Sequence, residues 1–257
     1  MRASLFYNPF DLIERLARSV QRRRRWRRVR GTPAAGLTLG HLDSLELLEL
    51  LKPAPPAVIH DIGANVGTWT CLAKSIFPAA AVEAFEPLEA HFAGFRRRTA
   101  TWPDVQLHAV ALGSREGTTS LEVVDFSDAS SVLPLTADGQ MTFQVKPVGR
   151  QEVRLATLDG LVAAGEVRPA DLLKLDVQGY ELEVLRGAEK TLAAAVYVIA
   201  EVSFREFYRG QPLFAEVVAF LAARGFHLRA LGTETPLGKA LVQTDALFVQ
   251  SGRLSAP

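Results

Sequence analysis

The chain has 257 residues, 48% of them apolar, enough to bury a sizeable core and too many for a disordered or low-complexity protein. Its single cysteine, Cys71, excludes an internal disulfide and suits a reducing compartment. The formal charge of +1 conceals an imbalance: residues 1–31 carry ten arginines against Asp11 and Glu14, a surplus of 8, while the remainder carries 19 basic and 26 acidic residues.

The start, "MRASLFYNPFDLIERLARSV", lacks the continuous apolar stretch of a signal peptide, and a cytoplasmic location is expected. No run approaches the roughly 20 apolar residues that span a bilayer. Residues 6–20, with Phe6 and Phe10, have the pattern of an amphipathic helix, and "QRRRRWRRVR" follows. Three readings fit this segment: a solvated basic tail with a short docking helix, peripheral contact with a membrane surface through Trp26 among the arginines, or contact with nucleic acid. The acidic balance of the rest weighs against nucleic acid, whose binders spread basic and aromatic residues over the folded domain. "LTLGHLDSLELLELLKP" then reads as a helical preface ending at "PAPPA". Residues 1–52 are therefore set apart as an N-terminal extension, and residues 53–257 as the main domain.

From residue 57 onward, strand-length apolar runs alternate with helical patterns, which predicts an α/β domain with a largely parallel sheet. Strands are expected at "AVIHDI", "AAVEAF", "VQLHAVAL", "DLLKLDV", "AVYVIAEV", "FHLRAL" and "DALFVQ". Helices are expected at "VGTWTCLAKSIF", "LEAHFAGFRRRTA", "ELEVLRGAEKTLAAA" and "PLFAEVVAFLAARG". Near-continuous apolar strands imply helices on both sheet faces. Residues 117–156 break the alternation: "GTTSLEVVD" and "QMTFQVKPVGRQEVRLAT" have period two, and a strand-rich insertion is expected there.

The first strand runs into Asp61-Ile-Gly63-Ala-Asn65-Val-Gly67, at the position where doubly wound sheets bind ligands. Glu86, nineteen residues past Gly67, closes the second strand near the ~20-residue offset at which an acidic group accepts both ribose hydroxyls. The spacing G-x-N-x-G is wrong for a pyrophosphate site, and no P-loop lysine follows. An adenosine without phosphates fits better, and S-adenosylmethionine meets that description. On this pattern alone an αβ turn with incidental glycines remains open. Downstream, Asp176 ends one strand and Glu201 lies near the end of the next, so both carboxylates would emerge at the same sheet edge.

The series "DIGANVG", "FEP", "ATLDGL", "LLKLDVQGYELEVLRGA" and "EVSF" with "YRGQP" resembles the FkbM family of S-adenosylmethionine-dependent methyltransferases, in that order, over residues 57–250. The resemblance implies a doubly wound, seven-stranded Rossmann-like methyltransferase sheet with its last strand antiparallel. It also implies O-methylation of a hydroxyl on a sugar, glycolipid or secondary metabolite. It would place Asp61, Gly63, Asn65 and Gly67 around the methionine half, Glu86 on the ribose, Ala111, Leu112 and Ser114 near the adenine, and Asp176 facing cofactor and acceptor. Gln178 departs from the Glu common at that position in the family.

A sulfonium is already an activated methyl donor, so the protein must hold the acceptor oxygen in line, about 3–3.5 Å away, and exclude water. A general base aids a poorly acidic alcohol. Asp176 and Glu201 are the catalytic candidates, with Glu181 and Tyr180 behind them. Ser130, Ser131, Gln178, Tyr208 and Arg209 are further candidates on the acceptor side. The histidines form no ligand pair and read as packing or surface residues; although Asp176 and Glu201 are oxygen donors of the kind Mg²⁺ takes, no metal is expected. A nucleotide-dependent oxidoreductase and a catalytically silent adenosine-binding module are the competing readings.

Overall fold

The computed structural model describes residues 19–20, 23–37, 42, 44–125, 129–237 and 240–252. The amphipathic helix expected over residues 6–20 lies outside them, apart from Ser19 and Val20. A helix over 23–29 (α1), a 3₁₀ turn at Pro33–Gly36 and a short helix Leu45–Glu49 (α2) precede the alternating region. There follow β1 (Val58–Ile62), α3 (Thr68–Ile76), β2 (Ala81–Phe85), α4 (Glu89–Thr99), β3 (Val105–His108) and β4 (Ala111–Leu112). The insertion supplies β5 (Gly117–Val124), α5 (Ala137–Phe143) and β6 (Pro147–Ala156). Then come α6 (Leu158–Ala163), β7 (Leu172–Leu175), α7 (Glu181–Arg186), α8 (Glu189–Ala194), β8 (Tyr197–Ser203), α9 (Phe214–Ala222), β9 (Phe226–Leu237) and β10 (Ala240–Gln250).

Seven strands form one sheet in the order β3-β2-β1-β7-β8-β10-β9. β10 alone runs opposite to the other six strands of this sheet. The chain works outward from β1 to β3, then returns to build the other half from β7, so its order reverses between β1 and β7. That reversal opens a crevice at the carboxyl ends of the two strands.

Alternation along each strand sends successive residues to opposite faces. Ile59, Val82, Leu172, Ile199 and Leu247 face one side, where they pack with Val29, Leu45, Leu48, Leu72 and Phe77. Ile62, Leu173, Leu175, Val198 and Phe248 face the other, against Leu158, Val184, Leu185, Leu192 and Leu221. Both faces are thus covered, and the strands read as unbroken apolar runs for that reason. Among the described residues no helix is long and apolar enough to cross a membrane.

Three expected elements are divided. "VQLHAVAL" is not one strand: at His108 the chain turns tightly, with the Val110 amide donating to the His108 carbonyl, and β4 leaves the main sheet to pair with β6. The long helix expected at "ELEVLRGAEKTLAAA" breaks at Gly187, where a Cβ would lie 2.0 Å from the Gly113 carbonyl oxygen; the backbone packs where a longer helix would collide. "QMTF" closes α5 rather than opening a strand, because Thr136 caps that helix by accepting from the Gly139 amide. Gln144, left-handed at φ 56°, ends it before β6 begins. The insertion is otherwise strand-rich, a three-stranded sheet in the order β4-β6-β5.

Candidate active site

The crevice holds a cavity of about 290 Å³, near the lower end of small-molecule sites. Its floor is the loop after β1. Gly63 (φ 83°) and Asn65 (φ 48°) are left-handed there, and asparagine tolerates this conformation better than most residues. The Gly63 and Ala64 amides both donate to the Phe85 carbonyl, each at 3.0 Å, tying the loop to the end of β2. Glu86 completes the tie: its Oε2 accepts from the Asn65 amide at 2.9 Å and its Oε1 from the Leu88 amide at 2.7 Å. Gly67, also left-handed, opens α3, whose first residues Thr68 and Trp69 line the cavity.

Of the residues singled out from the sequence, Gly63, Asn65, Glu86, Ala111 and Leu112 line this cavity. So do Ser130, Ser131, Asp176, Gln178, Tyr180 and Glu201. Asp61 and Gly67 lie behind the wall, Asp61 fully buried. Ser114 stands outside and donates to Glu183. Arg209 is exposed and also outside. Tyr208 is buried one step back, its hydroxyl 2.8 Å from Gln178 Oε1 and 3.0 Å from the Ala129 carbonyl.

At the polar end, strand register gathers the charges. Asp61 on β1 is paired with Lys174 on β7, and Glu201 on β8 with Asp245 on β10. Asp176, two residues after Lys174, shares that face. Lys174 Nζ donates to Asp176 Oδ2 at 3.1 Å, lies 3.8 Å from Asp61, and sits 5.7 Å from the Trp69 ring centre. Burial opposes its charge, but Asp176, Asp61 and Asp245 outweigh burial and hold the ammonium above its ordinary range. Gln178 Nε2 donates to Asp176 Oδ1 at 2.7 Å and to Glu201 Oε2 at 3.0 Å. A glutamate at 178 would put a third carboxylate between those two; the amide is the group that can donate to both. Gln178 is itself left-handed at φ 54°, its carbonyl receiving the Ser131 hydroxyl at 2.7 Å.

Burial first, then the carboxylates of Asp176, Asp245 and Glu181, push Glu201 well above the ordinary carboxylate range. Burial likewise raises Asp61, with Lys174 and Thr70 opposing, and raises Asp245, with Ser44 and Lys174 opposing. Asp61, Asp176, Glu201 and Asp245 thus share one ammonium, and the raised carboxyls of three of them show that the inner end of the cavity favours added positive charge, a proton or a cation.

Glu181 does not line the cavity. It is 3% exposed, and its Oε1 accepts from the Val177 and Gly179 amides at 3.1 and 3.2 Å, anchoring the turn after β7. Burial raises its carboxyl from 4.5 to about 7. Between those values the native state holds a proton that the unfolded chain has released, so stability falls as pH rises from about 4.5 to about 7. Glu181→Gln keeps an oxygen toward both amides and carries no charge. The variant is expected to match wild type near the lower pH and to exceed its thermal midpoint by several degrees above neutrality. Glu181→Ala, which strips both amides of their acceptor, should be less stable at every pH.

Several cavity residues had no sequence signal strong enough to single them out. Lys174 is legible in retrospect as the charge inside "LLKL", since a lysine buried in a strand demands a partner. Ser44, which donates to Asp245 and receives the Trp69 indole N–H at 3.0 Å, comes from the N-terminal preface. His91, read as packing or surface, is buried on the cavity wall; its Nδ1 stands 3.2 Å from Glu86 Oε1 without the alignment of a hydrogen bond. His60 and His108 belong elsewhere: His60 is held at the Arg168 carbonyl and His108 at Glu83. No group of three or more His, Cys, Asp or Glu among the described residues is placed to hold a metal.

Residues 61–228, more than half of the chain, match the methyltransferase FkbM domain. The chain belongs to the FkbM methyltransferase family. The matched domain is that of methyltransferases whose methyl donor is S-adenosylmethionine, and the chain spans about three fifths of the length of the first curated relative it matches. Among curated proteins it is similar to the hexuronic acid methyltransferase AglP of Haloferax volcanii, 31% identical over 164 residues that cover 63% of this chain and 62% of that one. It is also similar to the 2-O-methyltransferase NoeI of Sinorhizobium fredii, 29% identical over 183 residues, 66% of this chain and 72% of that one. A solved structure of methyltransferase FkbM from Methylobacillus flagellatus superposes with a TM-score of 0.49 at 12% identity, over 74% of this chain and 43% of that one.

The site fits the family's methyl donor. Glu86 offers two oxygens, an ionised carboxylate has about four acceptor positions, and the two loop amides take only two of them, which leaves room for a ribose diol. A Cβ on Gly63 would lie 1.8 Å from the Asp176 carbonyl oxygen, so the loop is closed tightly against β7 at the cavity floor.

Proposed function

We propose that this chain transfers a methyl group from S-adenosylmethionine to a hydroxyl oxygen of a sugar, glycolipid or secondary metabolite. The observation that carries the reading is the four-carboxylate, one-lysine cluster at the inner end of the cavity. A cationic ligand is favoured beside carboxyls that burial and mutual repulsion discourage from ionising, whereas the phosphates of a dinucleotide would add to that repulsion. The names of the two relatives, one for hexuronic acid and one for transfer to an oxygen, support a hydroxylated sugar-like acceptor.

When bound, the cofactor supplies an activated methyl on a positively charged sulfur. Glu86 would accept the ribose hydroxyls, and Ala111 and Leu112 would flank the adenine with Val110 and Leu88. The Gly63–Asn65 loop and the first turn of α3 would receive the methionine half, whose carboxylate is favoured by the positive end of the helix.

Asp176 is one-third exposed to the cavity and doubly held, by Lys174 and by Gln178. Its task is to orient the acceptor hydroxyl. Glu201, whose affinity for a proton is raised by burial and its neighbours, is the better proton acceptor, because a base works best with a pKa near the operating pH. Ser130, on the insertion wall, would meet the acceptor, with Ser131 behind it holding the Gln178 carbonyl. The reading is tested by mass analysis of extracts incubated with the protein and S-adenosylmethionine. A hydroxylated compound should gain one methylene in its presence alone; a shift confined to amines would move the reading to N-methylation.

A further inference from the structure

The basic segment before the domain is, in part, an ordered helix with two opposite faces. Arg25, Arg28 and Val29 share one face of α1, at positions i, i+3 and i+4. Arg25 makes a two-pronged pair with Glu46 of α2, Nε at 2.8 Å and Nη2 at 2.7 Å. Arg28 reaches Glu49 at 3.0 Å, and Val29 is 1% exposed in the core. The helix is thereby fastened to α2. On the opposite face, Arg23, Trp26, Arg27 and the following Arg30 fall at i, i+3, i+4 and i+7. All four are exposed, Trp26 by 48%, and none of these three arginines forms an ion pair with another described residue.

We propose that this outer face is a docking surface for an anionic lipid bilayer. The chemistry is complementary: a row of cations brackets an indole, a ring whose apolar body and polar N–H suit the headgroup boundary. Residues 32–257 carry 19 basic and 26 acidic residues, so an anionic surface attracts α1 and repels the bulk of the domain, which fixes the orientation of approach. A nucleic acid would meet the same seven-residue helix in front of a domain that is acidic overall. The dock is also joined to the cavity. Glu46 lies on α2, whose preceding residue Ser44 lines the cavity and donates to Asp245, so docking holds the cavity's α2 wall near the surface. This placement does not depend on which acceptor is methylated.

The test is vesicle sedimentation of the full chain. It should bind phosphatidylcholine vesicles containing phosphatidylglycerol, bind pure phosphatidylcholine weakly, and dissociate from the former at about 0.5 M salt, where screening shortens the reach of surface charge. Each arginine near an anionic surface is worth about fivefold in partitioning. Arg23→Gln, Arg27→Gln and Arg30→Gln together should weaken binding by about a hundredfold. The same three changed to Lys should bind nearly as wild type, and both triple variants should keep wild-type affinity for S-adenosylhomocysteine. Trp26→Ala should weaken binding severalfold. Equal binding to charged and neutral vesicles, or a glutamine triple variant that binds as wild type, would overturn the proposal. So would an RNA or DNA oligonucleotide that strips the protein from the vesicles at equal phosphate concentration.

Discussion

Asp176→Asn lowers the rate of methyl transfer by about 10²–10⁴, the range general acid–base and positioning groups supply. The substitution keeps an oxygen for Gln178 Nε2 and removes the charge that Lys174 meets at 3.1 Å, leaving that ammonium Asp61 at 3.8 Å. The acceptor hydroxyl then loses the group that orients it, while Glu86 and its loop stay in place. S-adenosylhomocysteine affinity should accordingly change far less than kcat. Glu201→Gln makes the complementary case. If Glu201 receives the proton, it must be ionised to act, and its pKa is raised. Wild-type kcat should therefore rise with pH through a limb above the ordinary carboxylate range, and the Gln variant should lose that limb along with about 10²–10³ in rate. A wild-type limb lying near pH 4 would instead point to an unperturbed carboxylate and reject Glu201 as the base.

Gly63→Ala is the second large effect. The new methyl would stand 1.8 Å from the Asp176 carbonyl oxygen and 2.8 Å from its carbon, both backbone atoms that cannot rotate away. The residue is also left-handed at φ 83°, which costs an L side chain roughly 1–2 kcal/mol before any collision. Relief requires prising β1 from the end of β7, which displaces Asp176 and opens the cavity floor. The expected result is a fall of several degrees in the thermal midpoint and S-adenosylhomocysteine affinity weaker by about a hundredfold or more. Gly149→Ala is the control, since a Cβ there meets nothing within 4 Å. A Gly63 variant with unchanged affinity would mean that the loop is not the cofactor's floor.

The parts of this structure legible in the sequence are those whose physics is local. β1, β2, β7 and β8 announce themselves because both faces are covered. Gly63 and Asn65 do so because the turn they make excludes most other residues, and Asp61, Glu86 and Asp176 because they interrupt apolar runs at strand ends. What could not be read depends on strand order. Asp245 meets Glu201 only because β10 is inserted between β8 and β9, and nothing in "QTDALF" states that neighbour. Ser44 and Trp69 meet over Asp245 because the preface folds back across the sheet. Gly187 sits inside a helical pattern, and only the distant Gly113 carbonyl, packed against it, ends the helix there. Gln178, noted as a family departure, gains its reason only from the two carboxylates that its amide joins.

The central claim is that the crevice between β1 and β7 takes a cationic, phosphate-free adenosine compound held through Glu86. Isothermal calorimetric titration tests it directly. S-adenosylmethionine and S-adenosylhomocysteine should bind wild type at micromolar strength or tighter, NADH should give no binding heat, and Glu86→Ala should lose about a hundredfold for both adenosyl compounds. Tighter binding of NADH, or a Glu86→Ala variant that binds both adenosyl compounds as wild type does, would contradict the account.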